Sequence, residues 1–124
     1  MYTYPGGTSA STSSCPQSAT LASECSLTQA LADATSSGDT IYLEADSTGA
    51  TSDTTSGWST GASGLTITSA PGVAAILDGQ GVSQYVLKYT GPGTGTNGLA
   101  VRDLTIEGSA TNFGNGGGIL NGNG

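Results

Sequence analysis

Leu65-Thr66-Ile67, followed by Ile76-Leu77-Asp78-Gly79-Gln80-Gly81, decides the fold, because a similar two-part phrase returns as Leu104-Thr105-Ile106 and Ile119-Leu120-Asn121-Gly122-Asn123-Gly124. Val86-Leu87 stands between the two copies. Each apolar piece is short and β-prone and is bounded by Gly, Asn or Asp, the pattern of strands joined by tight turns. The second copy keeps the order of the first instead of reversing it. The expectation is therefore a solenoid in which the Leu-Thr-Ile, Ile-Leu and Val-Leu strands form three faces of one coil, with the chain coming round again at 99–106. An antiparallel sandwich also uses short strands, but these are too short and too closely flanked by glycine to build two broad sheets.

Strands are expected at 40–43, 65–68, 75–77, 85–89, 99–101, 104–106 and 118–120, none longer than about six residues, with a polar insertion around Trp58. Upstream lies one helix signal. Ser26 is a good N-cap, Gln29 stands three residues later to complete a capping box, and Leu27, Ala30, Leu31 and Ala34 recur at helical spacing. Ser37-Gly38-Asp39 stops the helix. Tyr2 and Tyr4 alternate as a short edge strand would, and Gly6 to Ser14 is a low-complexity stretch that packs nothing. The organisation expected is a flexible Ser/Thr/Gly-rich arm at 1–14, a disulfide-linked capping segment with the helix at 15–37, and the first coils of a solenoid at 38–124.

The composition fits that reading. The 21 glycines, 17 serines and 19 threonines make nearly half of the 124 residues, so the core is thin and the corners are many. Charge excludes other readings. Two basic residues, Lys88 and Arg102, stand against nine acidic ones for a net charge of −7, so the chain cannot neutralise a phosphate backbone and an anionic membrane repels it. With no histidine, the usual zinc ligands, the usual general base and any Ser-His-Asp system within the chain are missing. No transmembrane segment is present in the sequence. Residues 1–20 contain no Lys or Arg and no apolar run of secretory-signal length, so in a secreted protein Met1 is expected to be an added or renumbered start.

Cys15 and Cys25 are expected to form a disulfide worth roughly 2 to 3 kcal/mol, since an even cysteine count in a Ser/Thr-rich, charge-poor chain fits an oxidising compartment. Two free buried thiols are the alternative. A metal site is poorer still, because two thiolates lack further ligands.

Cys15 to Cys25, then Leu27-Thr28-Gln29-Ala30-Leu31-Ala32-Asp33-Ala34, then Gly38-Asp39-Thr40-Ile41-Tyr42-Leu43, together resemble the N-terminal segment of secreted right-handed parallel β-helix proteins of the pectate-lyase-like superfamily. Ile76-Leu77-Asp78-Gly79-Gln80-Gly81 is similar to an early-coil phrase of that superfamily. Leu104-Thr105-Ile106 with Asn112-Phe113 and Gly116-Gly117-Gly118-Ile119 is similar to the repeats of polymorphic outer-membrane adhesins, although those use Ala where this chain has Gly118. The resemblance covers residues 15 to 124. It implies an all-β fold, a right-handed parallel β-helix with a short N-terminal capping α-helix, in an extracellular or cell-surface protein.

Enzymes of that superfamily use clustered carboxylates, calcium and a basic residue. The parts available here are Asp78, Asp103, Glu107, Lys88 and Arg102. A carboxylate pair such as Asp103 and Glu107 could serve acid and base roles only if held about 5 to 9 Å apart. Asp78 reads more simply as a turn residue capping backbone amides, and Arg102 with Asp103 as a surface pair. No catalytic residue is therefore assigned. No cofactor is expected either: calcium suits an acidic, oxygen-rich chain, but the tract 114–124 lacks the aspartates of the glycine-rich calcium repeat. Asn121 and Asn123 read as stacked turn ladders. A threonine array for ice binding is offered by Thr66-Ile67-Thr68 alone. For a glycan partner the candidates are Trp58, Tyr85 and Tyr89, which could stack on sugar rings. Trp58 is the one expected to be exposed, whereas the period-two spacing of Tyr85 and Tyr89 favours packing on one strand face.

The function expected is a secreted or cell-surface β-helix scaffold or adhesin-like module, non-catalytic within this chain, glycan-binding or self-associating. The alternative is the N-terminal part of a carbohydrate-active enzyme, a polysaccharide lyase or glycoside hydrolase, with its reactive residues beyond residue 124. The repeat breaks off at Asn121-Gly122-Asn123-Gly124 without a cap, so either further coils or a neighbouring subunit at the open end is expected to cover it. Titrating the unreduced, denatured chain with a thiol reagent should find no reactive thiol. Two per chain would contradict the disulfide.

Overall fold

The computed structural model describes residues 2–3, 15, 25–44, 46–48, 56–83, 85–92, 98–110 and 117–122. The expected arm beyond Thr3, the segment between the two cysteines, Asn112-Phe113 and Asn123-Gly124 lie outside the described residues. The elements in chain order are β1 (Tyr2–Thr3), α1 (Leu27–Asp33), β2 (Thr40–Leu43), β3 (Ser47–Thr48), β4 (Ser56–Thr60), β5 (Thr66–Ser69), β6 (Ile76–Ser83), β7 (Tyr85–Tyr89), β8 (Ala100–Arg102), β9 (Thr105–Ser109) and β10 (Gly117–Asn121).

The strands form three small sheets, ordered β1-β2-β5-β8, β3-β6-β9 and β10-β7-β4. Every pairing is parallel. Parallel neighbours cannot be joined by a tight hairpin and need a crossover of a dozen residues or more. Here the crossover runs through the other two sheets. The chain visits the three sheets in one order three times: β2, β3, β4, then β5, β6, β7, then β8, β9, β10. Ile41 thus lies beside Ile67, 26 positions on, and Ile67 beside Val101, 34 positions on.

The register corrects the repeat read from the sequence. Leu104-Thr105-Ile106 does not stack on Leu65-Thr66-Ile67; Thr105 and Ile106 lie beside Ile76 and Leu77 in another sheet. Ile119-Leu120-Asn121 lies beside Leu87-Lys88-Tyr89, so Asn121 sits in a strand and not in a turn ladder. The physical reason is that short strands of alternating aliphatic and threonine residues look alike whichever sheet they join. Position in the round, marked by the corner glycines, decides the neighbour. The repeat in register is Gly38-Asp39-Thr40-Ile41, Gly64-Leu65-Thr66-Ile67 and Gly98-Leu99-Ala100-Val101. Gly64 has φ +70, and a Cβ there would meet the Ser37 hydroxyl at 2.9 Å and the Gly38 nitrogen at 3.1 Å, so one corner stacks directly on the next.

β6 runs for eight residues rather than about six, because it bends midway, where Gln80 and Gly81 take φ of 55° and 71° and the register against β9 shifts between Asp78 and Ser83. The bend is held by the Asp78 carboxylate, which accepts the Gln80 N–H at 2.7 Å, the capping role expected of Asp78. Gly108, at φ +71, leaves room for it: a Cβ there would collide with that carboxylate and with the Gln80 nitrogen.

Inward alternation fills the space between the sheets. β2 and β5 bury Ile41, Leu43, Ile67 and Ser69 and turn Thr40, Tyr42, Thr66 and Thr68 outward. Ile41, Leu43, Leu65, Ile67, Leu77, Val86 and Leu87 are fully buried. Buried polar groups are satisfied at corners, as where the Ser69 hydroxyl donates to the Asp103 carbonyl at 2.6 Å and accepts the Ala75 N–H at 3.0 Å. The third round is less covered: Val101, Leu104 and Ile106 are half-buried and Ile119 is 45% exposed.

The helix packs its Leu27, Ala30 and Ala34 against the first round, in one cluster with Cys15, Cys25 and Trp58. Its N-cap is Ser26, whose hydroxyl accepts the Gln29 N–H at 3.1 Å. The Gln29 side-chain amide donates to Asp33 at 2.8 Å, and the other Asp33 oxygen accepts the Cys15 N–H at 2.8 Å. Cys15 and Cys25 are joined by a disulfide, as expected. β1 adds to the outer edge of the first sheet with Tyr2 beside Tyr42, the edge strand that the tyrosine alternation suggested.

Two substitutions test this packing by urea denaturation. Leu87→Ala, in a central strand, should cost about 2 to 5 kcal/mol, and Gly108→Ala about 1 to 3 kcal/mol through strain and collision with Asp78. A loss below about 0.5 kcal/mol in either would contradict the register.

Candidate ligand-binding surface

Of the three aromatic residues singled out for glycan contact, Trp58 and Tyr89 are buried and Tyr85 is half-buried, and for Trp58 this is a correction. The segment around it is not an exposed insertion but β4, which pairs with β7 so that Trp58 lies beside Leu87. Trp58 is 5% exposed and belongs to the cluster that includes the helix residues Leu27 and Ala30, so it is not the exposed ring that was expected. Alternating small residues, Ser56, Gly57, Ser59 and Thr60, hid the strand from a reading based on aliphatic content. Apolar burial of one large ring overrides weak strand propensity.

Tyr85 and Tyr89 lie on the same side of β7 as Leu87, as their spacing suggested. Tyr85 is half-buried and Tyr89 is 4% exposed. The Tyr89 ring packs where a Cβ on Gly91 would stand. Among the described residues its hydroxyl is the buried side-chain polar atom without a hydrogen-bond partner. Tyr89 borders a cleft of about 400 Å³ whose walls include Leu99, Val101, Ile119 and Asn121. A smaller cleft of about 220 Å³ lies between the helix and β4, with Thr28, Leu31, Trp58 and Ser59 in its walls.

The residues that the fold does bring together on an outer face were not singled out in the sequence. In the four-stranded sheet, Tyr42, Thr68 and Arg102 occupy one row across β2, β5 and β8, and Thr40, Thr66 and Ala100 occupy the row beside it. Alternation with the buried Ile41, Leu43 and Ile67 turns both rows outward. Neighbouring strands are about 4.8 Å apart and successive outward residues about 6.6 Å, so the rows form a strip of roughly 10 by 7 Å bearing a phenol, three threonine hydroxyls and a guanidinium. Glu44 and Asp103 follow at the strand ends, half-buried and exposed respectively. The signal that could have found this strip is the glycine-phased repeat, because only that register aligns positions 42, 68 and 102.

Of the carboxylates considered for catalysis, Asp78 is committed to the β6 bend, and Asp78 and Glu107 are neighbours in register across β6 and β9. Among the described residues no group of three or more His, Cys, Asp or Glu is placed to hold a metal ion. No family model, no curated protein and no solved structure matches the chain.

The two interior rings make opposite predictions in thermal or urea unfolding. Trp58→Ala should cost about 3 to 5 kcal/mol, whereas Tyr89→Phe should leave stability unchanged or raise it by up to about 1 kcal/mol, since it removes an unpartnered buried hydroxyl. A neutral Trp58→Ala would return Trp58 to an exposed position.

Proposed function

We propose that the chain is a right-handed parallel β-helix of the pectate-lyase-like kind, acting outside the cell as a scaffold or adhesin-like module with a glycan as ligand and without catalysis of its own. The observation that carries this reading is the threefold visit to three parallel sheets in one order, an arrangement suited to coils stacked on one axis. The helix lying against the first round acts as the cap such a stack needs. The disulfide is compatible with an extracellular location, and no described helix is long and apolar enough to cross a membrane.

Glycan fits the chemistry of the outer surface. Of 124 residues only 9% are charged, and β2 and β5 turn the hydroxyl-bearing Thr40, Tyr42, Thr66 and Thr68 outward, groups that exchange hydrogen bonds with sugar hydroxyls without the desolvation cost of a charge. The net charge of −7 turns nucleic acid and anionic membranes away.

Incubation with immobilised neutral and acidic polysaccharides, with and without calcium, tests the reading. The chain should be retained on at least one neutral polysaccharide and release no product. New reducing ends or unsaturated uronides would overturn the non-catalytic part in favour of a carbohydrate-active enzyme.

A further inference from the structure

We infer that the outward strip of Tyr42, Thr68 and Arg102, flanked by Thr40 and Thr66, is the glycan-binding site, and that its ligand is an uncharged oligosaccharide. The inference rests on the glycan reading above and gives it a place and a ligand class.

The residues come from three different rounds of the chain and meet only because Tyr42 pairs with Thr68 and Thr68 with Arg102 in parallel register. Tyr42 and Thr68 are half-buried and Arg102 is exposed, and all three stand on strands whose register fixes their spacing. That combination lowers the ordering cost of binding, because short strands fix the positions in advance.

The chemistry of the strip selects among ligand classes. A phenol ring offers an apolar face to the C–H side of a pyranose and a hydroxyl at its rim. The threonine hydroxyls both donate and accept, and the guanidinium only donates, in a planar fork. A purely apolar ligand would leave these polar groups desolvated and unpaired. An anionic sugar would find one guanidinium but also the carboxylates of Glu44 and Asp103 at the strand ends, in a chain of net charge −7. A neutral sugar turns those same carboxylates into acceptors for its hydroxyls. Trp58 and Tyr89, at 5% and 4% exposed, do not compete, and Tyr85 is half-buried on another sheet.

Isothermal titration of the full chain with cellohexaose, xylohexaose and mannohexaose, and with hexagalacturonate as the acidic counterpart, tests the assignment. At least one neutral hexaose should bind saturably and more tightly than hexagalacturonate. Tyr42→Ala should weaken it about tenfold, the scale of losing one ring contact, and Arg102→Gln about threefold. Tyr42→Phe should stay within about threefold of the parent, and Lys88→Gln, on the outward face of another sheet, should be unchanged. Arg102 is exposed, so Arg102→Gln reports on binding even if Tyr42→Ala unsettles the sheet. Unchanged affinity in both Tyr42→Ala and Arg102→Gln would overturn the site while the glycan reading stands. Preference for hexagalacturonate would overturn the uncharged class. Binding of no hexaose at millimolar concentration would overturn both the site and the glycan reading.

Discussion

The structure depends on one constraint, the parallel stacking of each strand on the strand of the preceding round with an aliphatic side chain turned inward at matched positions. Ile41, Ile67 and Val101 form one such row, and in another sheet the aromatic Trp58 lies beside the buried Leu87. Backbone hydrogen bonds between rounds, such as Thr66 N–H to the Asp39 carbonyl and Ala100 N–H to the Leu65 carbonyl, both at 2.9 Å, fix the height of each step. Burial of the row then fixes its face, because a slip of one residue would carry every inward side chain to the outside. A narrow interior of this kind needs few aliphatic residues, which is how a chain that is 35% hydrophobic and nearly half Gly, Ser and Thr folds at all.

Close approach at the corners is the second constraint. Successive rounds approach so closely there that several Cβ positions are already occupied: Gly64 lies against the Ser37-Gly38 corner and Gly108 against the Asp78 carboxylate. At Gly64 and Gly108 glycine is needed both for positive φ and for the contact. The first round is finished differently. Leu27, Ala30, the disulfide and Trp58 share one apolar cluster with Ile41 and Leu43, and Asp33 ties helix to disulfide by accepting from Gln29 and from the Cys15 N–H.

Much of this was legible in the residues. The helix with its Ser26 cap, the disulfide, the β-rich remainder, the edge strand at Tyr2 and the capping role of Asp78 follow from local chemistry, which short windows of sequence carry well. The register did not follow, because Leu65-Thr66-Ile67 and Leu104-Thr105-Ile106 are alike as strings while belonging to different sheets. Trp58 was misplaced for a related reason: Ser56-Gly57-Trp58-Ser59-Thr60 has little strand propensity of its own, and only the neighbouring Leu87 makes it a strand. The outward strip was hidden by both effects, since Tyr42, Thr68 and Arg102 share no local motif and are joined solely by register.

That register is the feature of the fold most directly open to measurement. Amide-detected nuclear Overhauser spectroscopy of the isotope-labelled chain measures it without any substitution. Cross-strand contacts linking Thr40 to Thr66 and Thr66 to Ala100 in a parallel pattern, with Ile106 near Leu77 and Ile119 near Leu87, are the result the account predicts. Antiparallel contacts between consecutive strands, or contacts placing Leu104-Thr105-Ile106 beside Leu65-Thr66-Ile67, would contradict it.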